Sequence, residues 1–163
     1  MPGRAESIRL RPADAAEAPR LSAIAQAAKA HWGYPAAWLE KWRPQLTLTP
    51  ETLRDWVVWV AEVDAQVVGF FALTSLGRRV RLEHLWVEPT LLRRGIGRAL
   101  FERAAMEALP LGWDTLEIDS DPHAAGFYER VGAVRIGETS GDPDSPTPVL
   151  PVFHFALKRH SHP

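Results

Sequence analysis

One stretch of the sequence constrains the fold more than any other, because an apolar strand runs through a glycine-containing turn into a helix. Val80 to Val87 predicts the strand, and Pro89 ends it because proline cannot donate to a central ladder. Gly95 to Leu109 then carries apolar residues at helical period and predicts the helix. A further strand follows that helix, so the chain must contain one parallel crossover.

The rest of the pattern predicts strands separated by short helices. Strands are predicted at Ser7 to Arg11, Trp56 to Val63, Gln66 to Thr74, Trp113 to Asp119, Ala133 to Glu138 and Val152 to Leu157. Helices are predicted at Ala15 to Ala30, Ala36 to Trp42 and Asp121 to Gly132, with a helical turn from Thr49 and a polar loop at Ser140 to Pro148. We therefore expect one α/β (α+β) domain over residues 1–163. Its sheet should be mixed but mostly antiparallel, with six or seven strands and helices on both faces.

Composition excludes several classes of function. The 163 residues hold 19 basic and 20 acidic side chains, which argues against a nucleic-acid partner. The chain has no cysteine, so disulfides, thiolate metal sites and acyl-cysteine intermediates are excluded. No signal peptide and no apolar run of about 18 residues is visible. We expect a cytoplasmic protein without a membrane partner or a metal.

The turn from Arg93 to Arg98 predicts an anion site. Unpaired N–H groups and the positive dipole end meet at a helix start, and glycines allow a pyrophosphate to approach the backbone. A strand-to-helix turn with surface arginines stays open as the alternative. A P-loop is excluded because no Gly-x4-Gly-Lys run exists. A dinucleotide fingerprint is excluded because Leu100 stands where its third glycine belongs.

A second constellation follows about 30 residues later. Val87-Glu-Pro89, Gly95-Ile-Gly97 and Ala124-x-x-Phe-Tyr-x-x-x-Gly-Ala133 occur in that order, and together they resemble the two motifs of the GNAT superfamily of acyl-CoA-dependent N-acyltransferases. The predicted strand order agrees over almost the whole chain. Leu92 departs from the family's usual Gln or Arg, and Asp121 from its frequent Asn. Asp121 therefore has two roles open to it, helix N-cap and cofactor contact.

The resemblance implies that acetyl-CoA binds between the strands Val80 to Val87 and Trp113 to Asp119. It implies that backbone groups of Leu85 to Val87 pair with the pantetheine arm, and that N–H groups of Arg94 to Arg98 hold the pyrophosphate. The Leu85 N–H would polarise the thioester carbonyl. The full set of cofactor-binding candidates is Leu85, Trp86, Val87, Arg93, Arg94, Gly95, Ile96, Gly97, Arg98, Asp121, Phe127 and Tyr128.

The same resemblance implies that Tyr128 returns a proton to the departing thiolate. The family's usual position for the base is occupied here by Arg81, which stays protonated. Glu83 lies two residues on, so by strand periodicity it should share the side of Arg81, and it is the candidate base. A carboxylate that pairs with an arginine is its alternative. His84 should face the other side and ranks second; His31 is third, and a water chain stays open.

Acceptor choice in this superfamily comes from the first helices and the last hairpin, so His31, Trp32 and Tyr34 are the predicted acceptor contacts. Packing of these aromatics onto the sheet stays open as the alternative. We expect an N-acetyltransferase that moves acetyl from acetyl-CoA directly to a primary amine of a small molecule or peptide. A non-catalytic acyl-CoA-binding or sensing module of the same fold is the alternative. The apolar segment Val149 to Ala156 fits either a homodimer contact or a core strand.

Overall fold

The computed structural model describes residues 7–77, 79–139 and 149–157. Its seven strands are β1 (Arg9–Pro12), β2 (Val57–Val63), β3 (Gln66–Leu76), β4 (Arg79–Val87), β5 (Thr115–Asp119), β6 (Val134–Thr139) and β7 (Leu150–Ala156). Its five α-helices are α1 (Ala18–Ala30), α2 (Ala36–Trp42), α3 (Pro50–Asp55), α4 (Ile96–Ala108) and α5 (Ala125–Arg130). The predicted loop Ser140 to Pro148 lies outside the described residues. The helices described include none that is both long and apolar enough to cross a membrane.

The strands form one seven-stranded sheet in the order β1-β2-β3-β4-β5-β7-β6. Neighbouring strands are antiparallel except β4 and β5, which are parallel. The predicted mixed, mostly antiparallel sheet with one parallel crossover is confirmed. β7 (Leu150–Ala156) lies between β5 and β6 as an interior strand of the sheet, and β6 is the edge strand at that end.

Helices cover both faces of the sheet, as predicted. α4 and α5 pack on one face around a core whose fully buried members include Phe71, Leu100, Phe101, Ile118 and Phe153. α1, α2 and α3 pack on the other face around Leu21, Ile24, Trp42, Val60 and Phe70. Burying apolar surface contributes roughly 25 cal/mol per Å², so these two cores hold the helices in place.

Two helices start later than their sequence patterns predict. Asp14 caps a 3-10 turn (Ala15–Glu17), and α1 begins only after it, at Ala18. Asp121 likewise caps a 3-10 turn (Pro122–Ala124) ahead of α5. In both cases the capping aspartate and the following residues form a tighter turn than the α-helical pattern implies. The two-residue hairpin between β2 and β3 is confirmed, with Asp64 and Ala65 at φ 52° and 61°.

Candidate functional site

The only parallel strand pair among the described residues separates soon after it begins. β4 and β5 are paired at Val80 with Leu116 and at Arg81 with Glu117. Beyond these two positions β4 continues to Val87, and within the described residues it makes no further strand pair with β5. We call this opening the strand cleft. The edge of β4 that faces it offers backbone donors and acceptors, as an extended ligand such as a pantetheine arm requires.

The strand cleft leads to the start of α4. Gly95 is the N-cap residue, with φ +83°, and no side chain caps the helix there. The first-turn N–H groups of a helix have no intrahelical partner and attract anions. Arg93 and Arg94 are exposed beside this turn, whereas exposed Arg98 pairs with Glu102 at 3.2 Å. The start of α4 therefore presents the free backbone N–H groups that the predicted anion site requires. The charge of Arg98 is partly neutralised by Glu102.

Gly95 and Gly97 are both in the turn, but a side chain is disfavoured at each of them for a different structural reason. At Gly95 a Cβ would meet nothing within 4 Å, but its positive φ strains any side-chain-bearing residue. At Gly97 a Cβ would lie 3.4 Å from the Phe127 ring and 3.8 Å from Val87. Gly97 thus allows α4 to pack closely against α5 and β4. Predicted cofactor contacts Val87, Gly97 and Phe127 meet at this junction, and Ile96 is buried behind it.

Tyr128 is buried on α5 at 7% exposure, among Phe101, Phe127 and Phe153, whose ring centroids lie 5.2 to 6.1 Å away. Burial, followed by the nearby charge of Asp121, raises the pKa of the Tyr128 phenol. The phenol therefore keeps its proton at neutral pH and is able to donate it. A general acid must carry a proton at the working pH, and the phenol meets this condition, but its raised pKa makes it a weaker acid than a solvated phenol.

A β-bulge in β4 changes which side chains share a face. Arg81 pairs with Thr74 and His84 pairs with Ala72, and the register shifts between these pairs so that Glu83 is the extra residue. Thr74 and Ala72 are two residues apart on β3 and share a face, so Arg81 and His84 share it as well. The prediction that His84 faces the side opposite Arg81 is therefore wrong. Strict alternation fails at an inserted residue.

The two β4 base candidates have distinct surroundings. The Glu83 carboxylate accepts a hydrogen bond from the Thr74 hydroxyl at 2.8 Å and lies 3.7 Å from Arg81 Nε. His84 packs against the Trp56 ring, and its Nδ1 accepts from the Trp86 indole N–H at 2.9 Å. Burial lowers the pKa of His84 to about 4, so the ring is neutral at pH 7.

A cavity of about 410 Å³ opens beside Glu83. Its wall combines apolar and polar side chains, including Asp55, Trp56, Leu73, Thr74, Glu83 and Leu111. Because Glu83 is the bulge residue of β4, the cavity adjoins the strand where the strand cleft begins. The Arg81 side chain reaches from β4 to β5, where its guanidinium donates to the Asp119 carboxylate at 2.7 Å. A molecule in the cavity would thus lie next to the strand cleft.

Asp121 is the centre of a polar cluster at the end of β5. Its carboxylate caps the turn through the His123 N–H at 2.8 Å, pairs with Lys29, and accepts from the Tyr34 hydroxyl at 3.0 Å. Burial alone would raise the pKa of Asp121, but Lys29 and His123 hold it below its usual value. The N-cap role of Asp121 is confirmed. No local pattern marks the contact of Lys29 with Asp121 or that of Tyr34 with His123, because these contacts span 92 and 89 positions.

The three predicted acceptor residues lie around this cluster. Trp32 stacks on His123 with ring centroids 5.0 Å apart and planes 5° from parallel, and His31 meets the edge of Trp32. Tyr34 packs edge-on against Trp42. These side chains join the segment after α1 to the turn before α5, and the lining of the cavity beside Glu83 does not include them. The described residues hold no cluster of three or more His, Cys, Asp or Glu that could bind a metal ion.

Comparison with known proteins places this geometry among acetyltransferases. Residues 54–132 match the family model described as acetyltransferase (GNAT) domain. An uncharacterized N-acetyltransferase, YafP of Escherichia coli K12, is 35% identical over 79 residues, which are 46% of this chain and 44% of that protein. The chain thus matches less than half the length of this relative.

Solved structures share the fold over nearly the whole chain. A GCN5-related N-acetyltransferase from Rhodopseudomonas palustris superposes with a TM-score of 0.79 at 21% identity, covering 93% of this chain and 98% of that one. PaiA N-acetyltransferase from Thermoplasma acidophilum, in complex with coenzyme A, gives 0.74 at 17% identity, with 92% and 99% covered. The matched domain contains the strand cleft, the start of α4 and Tyr128. Residues 54–132 thus match the GNAT acetyltransferase family, and nearly the whole chain has the fold of GNAT acetyltransferases.

Proposed function

We propose that the protein is an acetyltransferase that moves the acetyl group of acetyl-CoA directly to a primary amine. The observation that carries this proposal is the early separation of β4 from β5 after Arg81 and Glu117. The strand cleft that results leads to the start of α4 at Gly95, where no side chain caps the helix. The strand cleft suits an extended thioester arm, and the start of α4 suits a pyrophosphate. The PaiA structure, which shares the fold, holds coenzyme A.

The residues present fit this substrate. The first-turn N–H groups after Gly95 would hold the pyrophosphate, with Arg93 and Arg94 exposed beside them. The backbone of Leu85 to Val87 would pair with the pantetheine arm along the open edge of β4. The family resemblance implies that the Leu85 N–H is the donor that polarises the thioester carbonyl, and Leu85 follows the bulge by two residues.

Two side chains of the protein would then carry the proton transfers. Glu83 accepts the proton that the amine loses as its nitrogen bonds to the acetyl carbon. The carbon–sulfur bond breaks, and Tyr128 donates its proton to the departing thiolate. Tyr128 carries its proton at neutral pH, as this role requires. The chain has no cysteine, so transfer without an acyl-enzyme thioester is consistent with its composition.

The test is release of free CoA thiol from acetyl-CoA, measured with and without a panel of primary amines. We expect thiol release that depends on an amine, with an acetylated amine detected by mass spectrometry in equal amount. Coenzyme A binding is measured alongside by calorimetry. Binding without amine-dependent thiol release would reject the enzyme and favour a non-catalytic acyl-CoA-binding module of the same fold.

A further inference from the structure

We propose that the cavity beside Glu83 is the acceptor site, and that it selects a small primary amine on an apolar arm that lacks a neighbouring carboxylate. This inference rests on the proposed function and specifies its acceptor. It departs from the sequence-based expectation that His31, Trp32 and Tyr34 contact the acceptor.

The position of the cavity is the first argument. Glu83 lines it, and Glu83 is the inserted residue of the β4 bulge, two residues before Leu85. The amine of a molecule in the cavity would therefore meet the candidate base on the same strand that would bind the thioester. His31, Trp32 and Tyr34 instead gather around Asp121 and His123, where their rings and hydroxyl already have protein partners.

The walls favour an apolar arm. Trp56, Val57, Leu73, Leu76 and Leu111 supply most of the lining. The Trp56 ring packs against His84, with ring planes 29° apart and centroids 6.2 Å apart. A fixed indole offers a flat surface for an aromatic or aliphatic group and a π-face for a cation. A volume of about 410 Å³ suits a small molecule.

The charges favour a cation and disfavour a carboxylate. Asp55 and Glu83 line the cavity, and the lining residues described include no basic side chain. Arg81 lies near Glu83 but donates to Asp119 at 2.7 Å, so its charge is shared between two carboxylates. An ammonium group is therefore attracted into the cavity. The α-carboxylate of an amino acid would be repelled by Asp55 and Glu83 and would find no cation to pair with in this lining.

The test uses two acceptors that differ in one group. 2-Phenylethylamine and L-phenylalanine have the same ring and the same carbon chain to the amine, and only the second carries a carboxylate. We expect kcat/KM for 2-phenylethylamine to exceed that for L-phenylalanine at least about tenfold, because Asp55 and Glu83 repel the carboxylate of L-phenylalanine.

Two variants tie the preference to the cavity. Asp55→Lys reverses the exposed charge at its rim, and we expect KM for 2-phenylethylamine to rise about fivefold while the penalty on L-phenylalanine shrinks. Trp56→Ala removes the flat wall and should raise the same KM about tenfold. Glu51→Lys is the matched control, because Glu51 is equally exposed on α3 but lies outside the cavity lining. It should leave both KM values unchanged. KM for acetyl-CoA should stay constant throughout.

Failure of this inference is distinguishable from failure of the proposed function. Equal use of both acceptors, or equal effects of Asp55→Lys and Glu51→Lys, would overturn the inference while leaving the acetyltransferase intact. Suppose that 2-phenylethylamine quenches tryptophan fluorescence in the wild type but not in Trp56→Ala, and that no amine is turned over. That result would reject the proposed enzyme, and with it the acceptor role, and would leave the cavity as an amine-binding site. A protein that neither binds nor acetylates 2-phenylethylamine but acetylates other amines would overturn the inference alone.

Discussion

Lys29 and Asp121 form an ion pair between helices that lie on opposite faces of the sheet. Lys29 is in the last turn of α1, and Asp121 precedes α5, 92 positions away. Their side chains are only 12% and 7% exposed, and the Lys29 ammonium also lies over the Trp42 ring, 4.5 Å from its centroid. The pair therefore ties the segment after α1 to the end of β5, beside the strand cleft.

Removing one partner of this pair should destabilise the fold. Lys29→Met leaves the buried Asp121 carboxylate without its cation, which costs about 3 kcal/mol of unfolding free energy. The double variant Lys29→Met, Asp121→Asn should recover part of that loss, because the amide keeps an acceptor for the capping N–H. Urea unfolding of the two single variants and the double variant measures the coupling. Strictly additive losses would contradict a direct pair.

The same pair should make stability depend on acid pH. The pKa of folded Asp121 lies below its usual 3.8, so the contribution is fully present above that value and is lost as the pH falls through the folded pKa. The difference in unfolding free energy between the wild type and the double variant should shrink below about pH 4. A difference that stays constant down to pH 2 would show that ionised Asp121 contributes nothing.

Tyr128→Phe should separate chemistry from binding. The ring sits among Phe101, Phe127 and Phe153, so phenylalanine fits the same space and the fold should be unaffected. Loss of the proton donor should lower kcat about 100-fold, with KM for acetyl-CoA within about twofold of the wild type. Steady-state thiol release measures both constants. An unchanged kcat would remove Tyr128 as the acid.

The two turn glycines should respond differently to alanine. Gly95→Ala places a Cβ at φ +83° and should cost about 1 kcal/mol of unfolding free energy. Gly97→Ala gains helix propensity of about 1 kcal/mol but brings a Cβ to 3.4 Å from Phe127, so the two effects should nearly cancel. Urea unfolding of both variants measures which of them loses more unfolding free energy. A larger loss at Gly97 would show that the junction with Phe127 cannot yield.

Much of the fold follows from local patterns in the sequence. The strand ending at Pro89 and the glycine turn into α4 are short-range features, and the hairpin at Asp64 and Ala65 has its own turn length. Each of these depends on residues close together in the chain, so propensity and periodicity are sufficient to predict them. The family motifs then mark Tyr128 and the start of α4 as candidate parts of the site.

The parts that sequence analysis missed depend on long-range contacts or on one inserted residue. The Glu83 bulge turns His84 to the face of Arg81, and nothing in the alternation of β4 marks it, because a bulge is fixed by the partner strand. Lys29 and Tyr34 meet Asp121 only after the sheet has brought α1 and the turn before α5 together, whereas His123 contacts Asp121 from two positions away. The cavity at Trp56 likewise needs α3, β3 and β4 in place, so the aromatic cluster at Trp32 and Tyr34 was the more visible signal.

His84 should make the fold sensitive to mild acid. Burial lowers its pKa from 6.5 to about 4, so the folded state resists protonation. Its contribution is complete above pH 6.5 and is lost as the pH falls toward 4, by about 3 kcal/mol at most. His84→Gln keeps an acceptor for the Trp86 indole and should flatten this part of the stability profile, whereas exposed His31→Gln should not. Parallel profiles for the wild type and His84→Gln would contradict the low pKa.

Replacing each base candidate in turn should single out Glu83. In neutral His84 the Nδ1 lone pair is engaged by the Trp86 indole N–H, which places its proton on Nε2 and leaves no lone pair for an amine proton. Glu83→Gln keeps the hydrogen bond from Thr74 but cannot accept a proton, so kcat should fall about 100-fold with KM for acetyl-CoA unchanged. His31→Gln should leave kcat close to the wild-type value, because exposed His31 lies with Trp32 near Asp121 and outside the cavity lining. A kcat for His84→Gln lower than that for Glu83→Gln would transfer the role of base to the imidazole.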